Sequence, residues 1–130
     1  MPSLQKPSVT AAANAPAHDV PAGTKTSMQV LISAEQAPHF AMRRFRIEPG
    51  GAMPLHTNTV EHEQYVLAGE AEIVLGQETR HAQSGDVVFI PAGLQHAYTC
   101  LGEVPFEFLC LVPNAADHIH LVSPDDTSTR

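Results

Sequence analysis

Residues 50–69 read GGAMPLHTNTVEHEQYVLAG, and residues 85–96 read GDVVFIPAGLQH. The first stretch sets Gly50, His56, Asn58, His62 and Gly69 in a fixed order, and the second does the same with Gly85, Pro91, Gly93 and His96. Glycine and proline punctuate short β-branched and aromatic runs here, which reads as strands joined by tight turns. His56 and Asn58 are two residues apart, so on a strand their side chains leave the same face. Thr59-Val60-Glu61 makes a short turn, and a chain that returns antiparallel brings His62 beside His56. His96 opens a separate strand just after Pro91-Ala92-Gly93. Three imidazoles with an amide oxygen nearby suit a transition metal. The competing reading is that each histidine is a satisfied or surface polar residue.

The rest of the chain keeps the same rhythm. Strands are predicted over 28–33, 40–48, 54–58, 62–68, 70–75, 86–90, 95–100 and 105–112, with 118–122 as a further edge strand. Pro49-Gly50-Gly51 is expected to end the second of these in a turn. Many short strands with Gly/Pro breaks indicate an all-β sandwich or barrel. No segment carries helical periodicity over three turns, and no internal repeat is present. Residues 1–27, rich in Ala, Pro, Ser and Thr, read as an arm, 28–122 as the domain and 123–130 as a polar tail.

Composition narrows the function classes. The 130 residues suit one domain, and 43% hydrophobic residues suffice for a packed core. Seven Lys and Arg against fourteen Asp and Glu leave a net charge of −7. Such a chain is a poor partner for nucleic acid, which needs clustered cations. Its apolar runs are too short to span a bilayer as a helix. Cys100 and Cys110 are too few for a disulfide scaffold, and no leader-like segment is visible, so the expected location is the cytoplasm.

The spacing of both quoted stretches resembles the two motifs of the cupin superfamily. The family's first motif is G-x5-H-x-H-x3-4-E-x6-G, and its second is G-x5-P-x-G-x2-H-x3-N. The chain follows the second from Gly85 to His96 and carries Cys100 where Asn is usual. It follows the first at Gly50, His56 and Gly69, with Asn58 in place of His and His62 in place of Glu. Pro49-Gly50-Gly51, Glu61-His62-Glu63 and the stretch 108–113 look like small single-domain cupins with an all-histidine manganese site.

The resemblance implies an all-β, jelly-roll-like cupin barrel, the double-stranded β-helix, with a metal inside. It implies one divalent transition metal on His56, His62 and His96, with Asn58 as a weak fourth ligand, a holder of water, or simply an Asx turn. Mn²⁺ or Fe²⁺ is favoured, and Ni²⁺, Zn²⁺, Co²⁺ or Cu²⁺ would also suit such ligands. Strand parity puts Gln64 rather than Tyr65 on the inner face with His62. Tyr98 shares parity with His96, and Phe108 shares it with Cys110. A hairpin of 96–101 with 104–112 would set Cys110 almost opposite His96 and keep it away from Cys100. Arg43, Arg44 and Arg46 cover both strand faces, so one could face inward and steer an anion, while a surface or dimer-face position is the expectation for most of them. His81, His118 and His120 are read as non-ligands.

Neutral ligands leave the ion its full charge, which suits chelation of anionic or enolate-like oxygens. The expected function is a small-molecule oxygenase, or a lyase or isomerase. The alternatives are a non-catalytic metal- or ligand-binding cupin (a sensor or storage module) and metal-free ligand binding. A small-molecule partner and a homodimer are expected, with residues 28–33 free to pair with a partner's sheet. Ligating imidazoles must be neutral, so metal binding is expected to weaken as pH falls through about 6.5.

Overall fold

The computed structural model describes residues 6–123. Ten strands follow one another: β1 (Ala17–Asp19), β2 (Thr24–Ile32), β3 (Phe40–Thr57), β4 (His62–Ala68), β5 (Glu70–Leu75), β6 (Glu78–Gln83), β7 (Val87–Ile90), β8 (His96–Leu101), β9 (Phe106–Pro113) and β10 (His120–Leu121). All pairings are antiparallel, and the sheet runs β6-β5-β8-β3-β9-β4-β7, with β2 and β10 also on β3 and β1 on β2. The sheet curls around its apolar face into an antiparallel half-barrel. Among the described residues no helix is long and apolar enough to cross a membrane.

Strict alternation builds the core. On β9, Phe106, Phe108, Cys110 and Val112 are buried, while Glu107, Leu109 and Leu111 lie on the other face. Their side chains meet Ile47, Val66, Ile73 and Tyr98 in one apolar cluster. Phe108 stacks on Phe45 and on Tyr98, with ring centroids 5.2 Å apart in both cases.

The segment 40–58 departs from expectation. Pro49-Gly50-Gly51 does not end a strand: β3 continues through it as one element of 18 residues. Gly50, at φ +83°, bends the strand where it changes partners. Residues 40–47 pair with β9, and the second half pairs with β8 and β10. A glycine kink of this kind turns a strand round a barrel corner, so the local turn signal is real while its outcome is a bend.

Three further differences concern pairing. The sheet begins at Ala17, and β2 starts at Thr24 rather than Met28. That strand pairs with β3 on one side, and on the other β1 of its own chain covers residues 27–29 only. The expected hairpin of 96–101 with 104–112 does not form. Instead β8 pairs with β3 and β5, and β9 pairs with β3 and β4. His96 therefore stands opposite His56, and Cys110 opposite Gln64. Both cysteines are free.

Candidate functional site

Strand geometry converges on one interior cavity of about 140 Å³. Its wall includes His56, Asn58, His62, Gln64, His96, Tyr98, Phe108 and Cys110, and also Arg43 and Asp117. His56 comes from the end of β3, His62 from the start of β4 and His96 from the start of β8. The His56 and His96 rings lie 4.1 Å apart, centroid to centroid, and His62 lies 5.9 Å from His96.

Two of the rings are fixed by backbone. His56 Nδ1 is 2.7 Å from the Pro54 carbonyl oxygen, and His96 Nδ1 is 2.9 Å from that of Leu94. A carbonyl only accepts, so each Nδ1 carries the proton and each neutral ring keeps its lone pair on Nε2. His62 Nδ1 sits 3.1 Å from Cys110 Sγ. A thiol accepts or donates there, and when it accepts, His62 also presents a bare Nε2. Burial lowers the pKa of His56 and of His62, and takes that of His96 down to about 4. All three rings are therefore neutral near pH 7.

Two buried polar atoms lack a hydrogen-bond partner among the described residues: His62 Nε2 and Asn58 Oδ1. Such orphans are costly and point to a group that completes them. Asn58 lies one residue past the end of β3, not on it. Its Nδ2 donates to Asp117 Oδ2 at 3.1 Å, and Asp117 Oδ1 takes the Thr59 amide at 2.9 Å. The Asx turn is thus not made: its acceptor would be Asn58 Oδ1, which takes no hydrogen bond among the described residues, and the Thr59 amide goes to Asp117 instead. Sequence reasoning passes over Asp117, a lone acid in a polar tail, because only the strap from Ala116 to β10 brings it back across β3.

The donor set, three neutral imidazoles and an amide oxygen, suits a divalent transition metal. Among the described residues no three His, Cys, Asp or Glu side chains are already drawn to metal-ligand spacing. His62, the ring farther from His96, is the one an ion would have to draw in.

The other polar groups keep their protons. The Tyr98 hydroxyl accepts from Gln64 Nε2 at 2.7 Å, and complete burial raises its pKa. Burial also pushes the Cys110 thiol up to about 11. Neither is a base or a nucleophile at neutral pH. His81, by contrast, sits 2.8 Å from Glu70 on the exposed β5–β6 hairpin.

A family model for the cupin domain matches residues 43–112. The polyketide cyclase RemF from Streptomyces resistomycificus superposes with a TM-score of 0.85 at 26% identity, covering 93% of this chain and 89% of that one. A cupin 2 domain-containing protein from Halorhodospira halophila gives 0.73 at 30% identity, over 79% of this chain and 74% of that one. A mannose-1-phosphate guanylyltransferase of Klebsiella pneumoniae is 32% identical over 76 residues, 57% of this chain, but the chain spans only 16% of that enzyme's length. The matched segment runs from Arg43 through all three histidines to Val112, and it is over these residues that the chain belongs to the cupin domain family.

Proposed function

We propose that the protein is a metal-dependent cupin enzyme that binds the oxygen donors of a small organic substrate at one divalent transition metal, Mn²⁺ or Fe²⁺ by preference. The observation that carries this reading is the set of three neutral imidazoles around one cavity, with His62 Nε2 and Asn58 Oδ1 unpartnered. His56, His62 and His96 would hold the ion. When bound, it supplies Lewis-acid polarisation of a carbonyl or enolate oxygen. The Pro54 and Leu94 carbonyls hold two of the rings in the tautomer that such a role needs. Asp117 braces the wall by holding Asn58 and Thr59, while Tyr98 and Cys110 keep their protons. Phe45, Phe108 and Met53 exclude water from the inner end.

The likeness to a polyketide cyclase over most of both chains supports a redox-neutral reaction, of lyase, isomerase or cyclase type, ahead of an oxygenase. The test is elemental analysis of untagged protein, followed by a screen of small diketones, phenols and alkenes with oxygen uptake recorded. Near one equivalent of metal and turnover without oxygen uptake support the reading. Stoichiometric oxygen uptake moves it to an oxygenase. Failure to take up any of Mn²⁺, Fe²⁺, Ni²⁺ or Zn²⁺ removes it.

Asn58 gives a graded prediction. Its side chain is held by Asp117 and only its oxygen is free, so it is a supporting donor. Asn58→Ala is expected to weaken metal binding by about tenfold or less, well below the loss in His56→Ala, and Asn58→His to tighten it. Metal titration of the three variants checks the order, and equal loss in Asn58→Ala and His56→Ala would make Asn58 a full ligand.

The lowered histidine pKa values also give a pH dependence. In the unfolded chain these residues bind protons near pH 6.5, whereas in the folded protein His96 does so only near 4. Between those values the unfolded state holds more protons, so stability of the metal-free protein falls as pH drops from about 6.5 toward 4. Metal binding should accordingly persist below 6.5, further than a free imidazole would allow. Urea midpoints at pH 7, 6 and 5 test this. The same decline in a His56/His62/His96 triple-alanine variant would assign it to other groups.

A further inference from the structure

We infer that Arg43 is an anion anchor in the same cavity, so that the substrate class is a small carboxylate on a planar apolar body; the identification as substrate rests on the function proposed above. The three arginines of β3 divide by face. Arg44 Nη2 donates to Glu107 Oε1 at 2.9 Å, and Arg46 pairs with Glu48 and Glu107. Arg43 shares the inner face with Ala41, Phe45 and Ile47, is half-buried, and lines the cavity. Among the described residues it forms no ion pair. The one carboxylate on the cavity wall, Asp117, uses both oxygens on Asn58 and Thr59. A guanidinium partly withdrawn from water without a counter-ion favours an anion that supplies the missing acceptors, and its flat fork matches a carboxylate.

The remaining wall describes the rest of the ligand. Met28, Phe45, Met53 and Phe108 are apolar, and the last two aromatic rings named stack with Tyr98 in one column. An apolar cavity of about 150 Å³ accommodates benzene, so about 140 Å³ matches the size of a single ring. The carboxylate would rest on Arg43 and the ring against Phe45 and Phe108, with any further oxygen toward the imidazoles.

Benzoate and its neutral isostere benzamide are the probes. Their binding is followed by calorimetry or by ligand-observed NMR, in metal-loaded and in chelator-treated protein. The unaltered protein is expected to prefer benzoate by about tenfold or more, as a charge-assisted pair allows, and to do so without metal. Arg43→Gln should abolish that preference while leaving benzamide binding in place, and Arg80→Gln, which removes an exposed arginine, should leave it intact. Arg43→Lys should keep only part of it, because an ammonium lacks the fork. A preference seen only in metal-loaded protein would overturn the anchor and leave the metal reading standing. A preference that survives Arg43→Gln, or no preference in the unaltered protein, would overturn the anchor outright. A metal-free protein that still discriminates through Arg43 supports the anchor even if no ion ever binds.

Discussion

In the His96→Ala variant, affinity for a divalent transition metal is expected to fall by more than about a hundredfold. Loss of a residue that merely orients a ligand costs about 10–100-fold, and His96 is proposed as a ligand itself. It is also the middle ring of the three, 4.1 Å from His56 and 5.9 Å from His62. At 1% exposure it has no room to be replaced by a neighbour or by bulk water. Its ring is aimed by a backbone carbonyl two residues earlier, so no other side chain on β8 can take its position. Competition against a chromophoric chelator measures the effect, with His81→Ala as the control that should change nothing. A loss within tenfold, in a variant whose near-ultraviolet circular dichroism is unaltered, would show that the ion is held elsewhere.

Phe106→Ala carries the largest expected effect on stability. Phe106 is 1% exposed, stands opposite Ile47 in the β3–β9 register, and meets Phe108 and Tyr98 at ring distances of 5.3 and 6.5 Å. Truncating such a residue costs about 3–5 kcal/mol, because transfer energy is lost and a cavity remains. Native stability as a whole is only about 5–15 kcal/mol. Urea unfolding should show a much lower midpoint at unchanged slope. Phe89→Ala, at a 59% exposed position on the sheet-edge strand β7, should stay within about 0.5 kcal/mol. A cost under about 1 kcal/mol for Phe106→Ala would mean that the barrel end collapses around the gap.

How far this architecture is legible in the sequence depends on the kind of signal. Alternation identifies β4, β5, β8 and β9, because each buries one face and every second residue reports it. The same parity carries Gln64, Tyr98, Phe108 and Cys110 to the cavity wall. β6 leaves no such trace: it is a polar edge strand in which only Ala82 is buried, and polar edges are what keeps sheets from pairing with one another. Pairing partners are also beyond a local reading. A glycine pair marks a bend and a turn alike, so Pro49-Gly50-Gly51 does not reveal that β3 runs on. The strap that delivers Asp117 is held by Thr59 and Asn58, nearly sixty residues earlier, and nothing in its own composition announces a contact. Arg43 shows the reverse case, since three near-adjacent arginines must cover both faces of a strand, and only packing decides which one is left without an acid.

The bent strand β3 also sets an order of events. Its first residue pairs with Pro113 and its last with His120, so this strand is completed by segments synthesised well after it. A growing polypeptide that has emerged as far as His62 has made two of the three imidazoles and the β2–β3 pair, but not β8, β9 and β10, which complete the pairing of β3. Pairings this distant make folding slow and leave sheet edges open until the chain is whole. The cavity wall is therefore complete only once β8 and β9 have joined β3 and β4, and until then its assembly competes with self-association of the unfinished sheet.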